Sequence, residues 1–193
     1  MALVKLNARS AAALDATVLT GNLPAISGAS LTGLTAVNTP SFLCYRTSNQ
    51  TINHSTVTHV QFDGEFYDTG GCYNNTSSTV TLNGVSAPAY SFAPNVAGKY
   101  FIGMKARCDT STDGTATQVL LGKNNQHFTR VRFTLDNSEG MFCGGVIDLD
   151  GVDDFVEGFV SQNSGSSTVT NGGSTWGEDS TIAHMFGFKL IGA

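Results

Sequence analysis

Residues 99–108 read KYFIGMKARC, and the alternation within them decides the fold class. Tyr100, Ile102, Met104 and Ala106 form one series, while the residues between them form a second, more polar series. A repeat of two residues places the two series on opposite faces of a β-strand. The stretch therefore predicts a strand that has one face in a core and the other face at a surface.

The same pattern recurs along the chain after Pro40. Residues 57–62 (VTHVQF) alternate in the same way, the pair Asn83-Gly84 is typical of a hairpin turn, and Asn124-Asn125 indicates another turn. Eight or more short strands with no stretch of helical period predict an all-β protein, a jelly roll or sandwich. The other strands are expected at residues 41–47, 80–85, 117–122, 128–135, 145–149, 155–160 and 182–191.

The composition limits the function. Only 13% of the 193 residues are charged, against about a quarter in average soluble proteins. Few charges and 22 glycines fit a turn-rich β-protein whose surface is partly covered by partners. The net charge is −5 and the cationic residues are scattered, so nucleic acid is not expected as a partner. No apolar run approaches the roughly 20 residues of a membrane span, and the opening residues do not resemble a signal peptide.

The chain changes character near Pro40. Residues 1–39 contain no aromatic residue, and Pro24 together with several glycines excludes one long helix there. We predict two parts, an N-terminal arm at residues 1–39 and a β-domain at residues 40–193. The arm is either a flexible tail or an extended anchor that buries its apolar residues against another chain, namely Leu19, Leu23, Ile26, Leu31 and Leu34.

The cysteines and histidines are widely separated. None of the four cysteines belongs to a CxxC pair, which argues against a zinc site, and we expect buried reduced thiols with disulfides as the alternative. His59 and His184 alternate with apolar residues and are expected to pack in the core or at an interface. A metal-binding or pH-dependent role would require two histidines to meet at a symmetry axis. The cysteines are Cys44, Cys72, Cys108 and Cys143, and the remaining histidines are His54 and His127.

An acidic run is the most enzyme-like feature of the sequence: Asp148, Asp150, Asp153, Asp154 and Glu157. Carboxylates serve as general acids and bases or as calcium ligands. The run departs from the EF-hand pattern, and a turn at Asp150-Gly151 with solvated acids explains it without a ligand; a cation site and catalysis are the alternatives. No nucleophile elbow, phosphate loop or dinucleotide motif occurs. We therefore expect no enzyme, no cofactor and no metal.

Three stretches together resemble a known family. Residues 92–101 have the form F-x-P-x-x-x-G-x-Y-F, residues 144–149 read GGVIDL, and residues 184–191 read HMFGFKLI. In this order and spacing they are similar to the globular head of complement component 1q and its tumour-necrosis-factor-like relatives, over residues 40–193. The resemblance implies a jelly-roll head that associates as a homotrimer around a three-fold axis.

The resemblance also suggests where partners bind. We predict a trimer interface formed by Val60 and Phe62 from one strand and by Phe186 and Phe188 from another. The chain departs from the family at residues 69–89 and 161–180, where loops are added. Tyr73 and Trp176 are therefore the candidate receptor contacts, because aromatic residues dominate binding hot spots. A packed, buried Trp176 is the alternative.

The opening segment has a likeness of its own. Residues 13–34 resemble the openings of tail-fibre and related virion proteins of bacteriophages, which lead into trimeric heads. This implies a structural protein on the surface of a phage virion, assembled in the host cytoplasm, with its arm docked on capsid or tail proteins. We predict a trimeric capsid decoration or head fibre. The alternative is a lectin-like tail-fibre tip for host attachment, which contacts a glycan or protein of the host surface.

Overall fold

A computed structural model describes residues 38–108, 115–135, 140–170, 172 and 183–191. These residues contain strands and turns, and among them no helix is long and apolar enough to cross a membrane. The five apolar residues of the predicted arm lie outside the described residues. The strands are β1 Ser41–Tyr45, β2 Gln50–Ile52, β3 Thr58–His59, β4 Gly64–Asp68, β5 Tyr73–Asn74, β6 Val80–Leu82, β7 Val85–Ala87, β8 Ser91–Phe92, β9 Gly98–Arg107, β10 Thr115–Lys123, β11 Gln126–Leu135, β12 Gly140–Leu149, β13 Val156–Gln162, β14 Thr168–Thr170 and β15 His184–Lys189.

The long strands form two sheets. The five-stranded sheet has the order β12-β9-β15-β1-β4, and the six-stranded sheet has the order β11-β10-β13-β8-β5, with β3 paired to β13. Successive strands from β8 to β13 cross between the sheets, except that the β10–β11 hairpin stays within the six-stranded sheet. This strand order defines a jelly-roll β-sandwich, as the sequence predicted.

Aromatic side chains from both sheets meet in one core. The rings of Phe42 and Phe92 are stacked with centroids 4.3 Å apart, and Phe92 meets Tyr100 edge-on at 5.6 Å. All three side chains are fully buried and come from β1, β8 and β9, so these contacts join the two sheets. Burying a large apolar side chain contributes about 1.5–3 kcal/mol, which makes this cluster a main source of stability.

One glycine allows the core to close beneath β15. A Cβ atom at Gly187 would lie 2.8 Å from Cε1 of Phe42 and would also overlap the side chain of Ile102. Only a residue without a side chain fits between these two groups. This close approach lies on the inner face of the sheet.

The hairpin expected near Asn83-Gly84 is present. Asn83 and Gly84 have φ values of +49° and +87° and join β6 to β7. Two successive positive φ values suit the right-handed twist of a two-residue hairpin. The hairpin has its own small apolar cluster, formed by Val85, Ala87 and Ala93 with flanking side chains.

The strand predicted at residues 57–62 is shorter than expected. Only Thr58 and His59 pair with β13, and the backbone N–H of Phe62 then donates to the carbonyl of Val60 at 3.1 Å. That local hydrogen bond bends the chain away from the sheet, although the alternation of side chains continues.

Candidate functional site

The outer face of the five-stranded sheet is largely aromatic. Along each strand, one series of side chains points into the core and the other points outward, because the backbone is pleated. Each of the five strands contributes at least one apolar side chain to the outward series, which also carries Lys99, Lys105, Arg107 and Asp148. We call this surface the aromatic face; its members are Leu43, Tyr45, Tyr67, Phe101, Phe142, Val146, Phe186 and Phe188.

Strand register brings four phenylalanine rings together on this face. Phe188 lies opposite Phe101 across β15 and β9, with ring centroids 5.8 Å apart. Phe186 lies 6.1 Å from Phe101 and 6.2 Å from Phe142, with an interplanar angle of 21° to the latter. Ring pairs at these distances attract one another, so the four side chains form one connected surface.

Two glycines support these rings. A Cβ atom at Gly103 would lie 2.7 Å from Cζ of Phe186 and 2.9 Å from Cε2 of Phe142. A Cβ atom at Gly144 would lie 2.8 Å from Cζ of Phe142. The rings therefore lie flat over the bare backbone of β9 and β12, and the face is broad and shallow.

A large part of the aromatic face is open to solvent. Phe142, Val146 and Tyr67 retain 49%, 56% and 46% of their accessible surface. Charged groups lie at its ends: Lys99 and Asp148 form an ion pair at 3.2 Å one strand repeat beyond Val146. A contiguous apolar patch with a polar border is the arrangement of a protein–protein interface.

Half of the predicted interface is wrong. Phe186 and Phe188 lie on the aromatic face, but Val60 and Phe62 have no exposed surface and pack in the core. The alternation within residues 57–62 correctly predicted that Val60 and Phe62 share one buried face. That face packs in the core of the chain itself, where no second chain can reach it. The predicted set did not include Phe142 and Val146, which lie on the aromatic face and follow the outward alternation of β12.

The prediction that Tyr73 contacts a receptor is also wrong. This residue is only 4% exposed, and its hydroxyl donates a hydrogen bond to the carbonyl of Phe62 at 3.1 Å. Burial raises the pKa of Tyr73 well above its usual value. Trp176, the other candidate, lies outside the described residues.

Three acids of the acidic run meet in a turn. One carboxylate oxygen of Asp150 accepts backbone N–H bonds from Val152, Asp153 and Asp154 at 2.9, 3.2 and 3.2 Å. The ammonium of Lys123 lies 2.7 Å from a carboxylate oxygen of Asp154. These oxygens therefore have partners within the chain, and the turn interpretation accounts for them.

The pKa values in this turn follow from those contacts. Burial raises the pKa of Asp154, but hydrogen bonds from Lys123 and Asn124 outweigh it and leave the pKa below its usual value. The negative charge of Asp150 raises the pKa of Asp153. The other two acids lie apart from the turn: Asp148 is paired with Lys99, and the buried Glu157 faces His59 at 3.9 Å.

The four cysteines are free and buried, as expected. The thiol of Cys44 donates to the carbonyl of Met185 at 3.3 Å, and burial raises its pKa. Buried thiols with raised pKa values are poor nucleophiles. The cysteines thus act as small apolar residues of the core.

No family model and no curated protein matches the chain. Its fold is similar to the globular domain of zebrafish complement 1qA protein, with 13% identity, a TM-score of 0.48, and 79% and 98% of the two chains covered. It is also similar to murine APRIL, with 14% identity, a TM-score of 0.49, and 78% and 99% of the two chains covered. A third similar structure is PRD1 vertex protein P5, with 14% identity, a TM-score of 0.47, and 78% and 94% of the two chains covered. The strand order of the chain itself defines the jelly roll independently of these likenesses.

Proposed function

We propose that this chain is a non-enzymatic structural protein of a bacteriophage virion surface, and that its jelly-roll head forms a homotrimer through the aromatic face. The observation that carries the proposal is the connected set of four outward phenylalanines on the five-stranded sheet, of which Phe142 is 49% exposed and the other three are half-buried. Apolar patches of this kind are uncommon on a protein that remains a monomer. The low charge content, 13%, agrees with a surface that is partly covered.

The position of β12 suggests how copies meet. This strand forms one edge of the five-stranded sheet and carries the exposed Phe142 and Val146. An edge of one copy can pack against the middle of the aromatic face of the next copy, around Phe186. Such a contact joins two different patches, and it closes into a ring when the copies are related by a rotation axis. The number of three follows from the resemblance of residues 40–193 to trimeric heads.

The virion role rests on residues 1–39. Their resemblance to phage virion openings and their spaced apolar residues support an arm that docks on capsid or tail proteins. The arm would anchor a capsid decoration or head fibre and leave the head displayed outward. A tail-fibre tip is the second candidate, favoured by the polar outer face of the six-stranded sheet with its exposed Arg130 and Arg132.

The docking role can be tested with full-length protein and virus particles that lack it. We expect the purified chain to sediment with these particles. A variant with serine at Leu19, Leu23, Ile26, Leu31 and Leu34 should keep its oligomeric mass but remain in the supernatant. Equal sedimentation of the variant would contradict an anchoring role for the arm. Binding of the wild-type chain to host cells, with no binding to particles, would favour the tail-fibre tip.

A further inference from the structure

A polar cleft lies on the outer face of the six-stranded sheet, away from the aromatic face. Its volume is about 240 Å³, which is slightly below the range of about 300–1,000 Å³ typical of drug-sized ligands. A cleft of this size accepts one small molecule or one sugar residue. The residues used below are Ser55, Val57, Gln118, Arg132, Ser161 and Asn163, all of which line it.

Strand register places three polar side chains in one row across this cleft. Gln118 on β10 lies opposite Arg132 on β11 and opposite Ser161 on β13. Side chains directly opposite each other on one face of a sheet are about 4.5–5.5 Å apart at Cβ. A guanidinium, an amide and a hydroxyl are therefore presented side by side on rigid strands.

These three groups have no partners in the part of the chain that the structure describes. No ion pair joins Arg132 to a described carboxylate, and no hydrogen bond joins the side chains of Gln118 or Ser161 to described groups. Ser161 is only 6% exposed as a whole residue. Its hydroxyl is not one of the buried side-chain atoms that lack a partner, so the oxygen keeps its solvent contact at the cleft. An accessible hydroxyl on a rigid strand, with no partner in the described chain, can both donate to and accept from a ligand.

The wall of the cleft is fixed by internal hydrogen bonds. The side-chain oxygen of Asn163 accepts from the backbone N–H of Ala116 at 2.7 Å, which leaves its amide N–H₂ group available. The backbone N–H of Ser55 donates to the carbonyl of Gln162 at 2.7 Å. The exposed Val57 adds an apolar side wall.

This donor set identifies the ligand class. A guanidinium binds a carboxylate through two parallel hydrogen bonds, whereas amides and hydroxyls both donate to and accept from sugar hydroxyls. We propose that the cleft binds a single acidic sugar residue, with Arg132 on its carboxylate and with Gln118, Ser161 and Asn163 on its ring hydroxyls. The site does not involve the aromatic face, so it can exist whatever the oligomeric state.

The test is a calorimetric or NMR titration of the full-length protein with methyl glucuronide and methyl galacturonide. Methyl glucoside and methyl galactoside serve as neutral controls, and acetate supplies a carboxylate without a sugar ring. We expect saturable binding of an acidic sugar, and binding about tenfold or more weaker for the neutral sugars and for acetate. Absence of saturable binding of both acidic sugars would overturn the proposal, and equal binding of acetate would overturn the sugar assignment.

Matched variants locate the site. Arg132→Gln should weaken binding of the acidic sugar about tenfold or more, and Arg132→Lys should not restore it, because lysine lacks the planar fork. Arg130→Gln changes the same residue type two positions away on the same exposed strand and should leave binding unchanged. An equal loss in both glutamine variants would reject a defined site in favour of general charge attraction. Unchanged thermal unfolding of each variant would exclude a folding defect.

Discussion

The two sheets of this jelly roll present different groups of side chains on their outer faces. The five-stranded sheet presents phenylalanines over bare glycine backbone, whereas the six-stranded sheet presents Arg132, Gln118 and Ser161 in a row. Both sheets alternate in the same way and share one core. The difference indicates that the shared core depends on the inner series of side chains, which leaves the outer series available for the association and the ligand binding proposed above.

The largest effect is expected from a charge on the aromatic face. Phe186→Asp places a carboxylate among the rings of Phe101 and Phe142, where a second copy would have to desolvate it. We expect the oligomer to dissociate to a folded monomer or to aggregate, as seen by analytical ultracentrifugation. Gln118→Asp, an outward-facing substitution on the other sheet, should leave the mass unchanged. If both variants keep the mass of the wild type, the two outer faces do not differ in function as proposed.

Two glycines separate the effects of the inner and outer faces. Gly187→Ala overpacks the core against Phe42 and Ile102, which should lower the free energy of unfolding by about 1–3 kcal/mol. Gly103→Ala displaces the rings of Phe142 and Phe186 on the outer side and should mainly weaken association. Denaturant unfolding should show the larger loss of stability in Gly187→Ala, and sedimentation should show the larger loss of association in Gly103→Ala. Equal behaviour in the two assays would contradict the division between core and interface.

The Lys123–Asp154 pair should give a smaller effect that depends on pH. Because the pKa of Asp154 is lowered in the folded state, the ionised carboxyl stabilises the protein above the ordinary aspartate pKa of about 3.9. That contribution is lost as pH falls through the folded pKa. Lys123→Met should therefore cost about 1–2 kcal/mol at neutral pH and less at low pH. The check is urea unfolding at several pH values; a cost independent of pH would argue against this pair as its source.

The smallest effect is expected inside the sandwich. Tyr73→Phe removes the hydroxyl that donates to the carbonyl of Phe62 and should cost about 1 kcal/mol of stability. Since the ring is buried between the sheets, neither outer face should change. Thermal unfolding measures the cost, and sedimentation should show an unaltered oligomer. A loss of host-cell binding without a loss of stability would restore Tyr73 as a receptor contact.

The fold could be predicted from the sequence because the alternation of side chains and the turn residues are local signals. Asn83-Gly84 and the alternating residues 99–108 each required only their immediate neighbours to be interpreted. Local sequence does not show whether the apolar side chains on one face of a strand pack in the core of the same chain or against a partner. Val60 and Phe62 follow the same pattern as an interface strand, and only the position of β13 and the core beside them decides that they are interior.

The polar cleft could not be predicted for a related reason. Gln118, Arg132 and Ser161 are separated by up to 43 positions, and register alone places them in one row. In the sequence, Arg130 and Arg132 alternate within the stretch 128–135, and nothing nearby indicates which residues they face. Phe186 and Phe188, which were predicted at a trimer interface, lie on the outer side of β15, whereas Gly187 between them lies on the inner side.

The aromatic face is proposed to bind further copies of this chain. The most direct test is the mass of the full-length protein by multi-angle light scattering over a wide range of concentrations. A single species of three times the chain mass of 20.2 kDa is the predicted result. A monomer of 20.2 kDa at every concentration would contradict this proposal and would leave the outward-facing phenylalanines without the partner proposed for them.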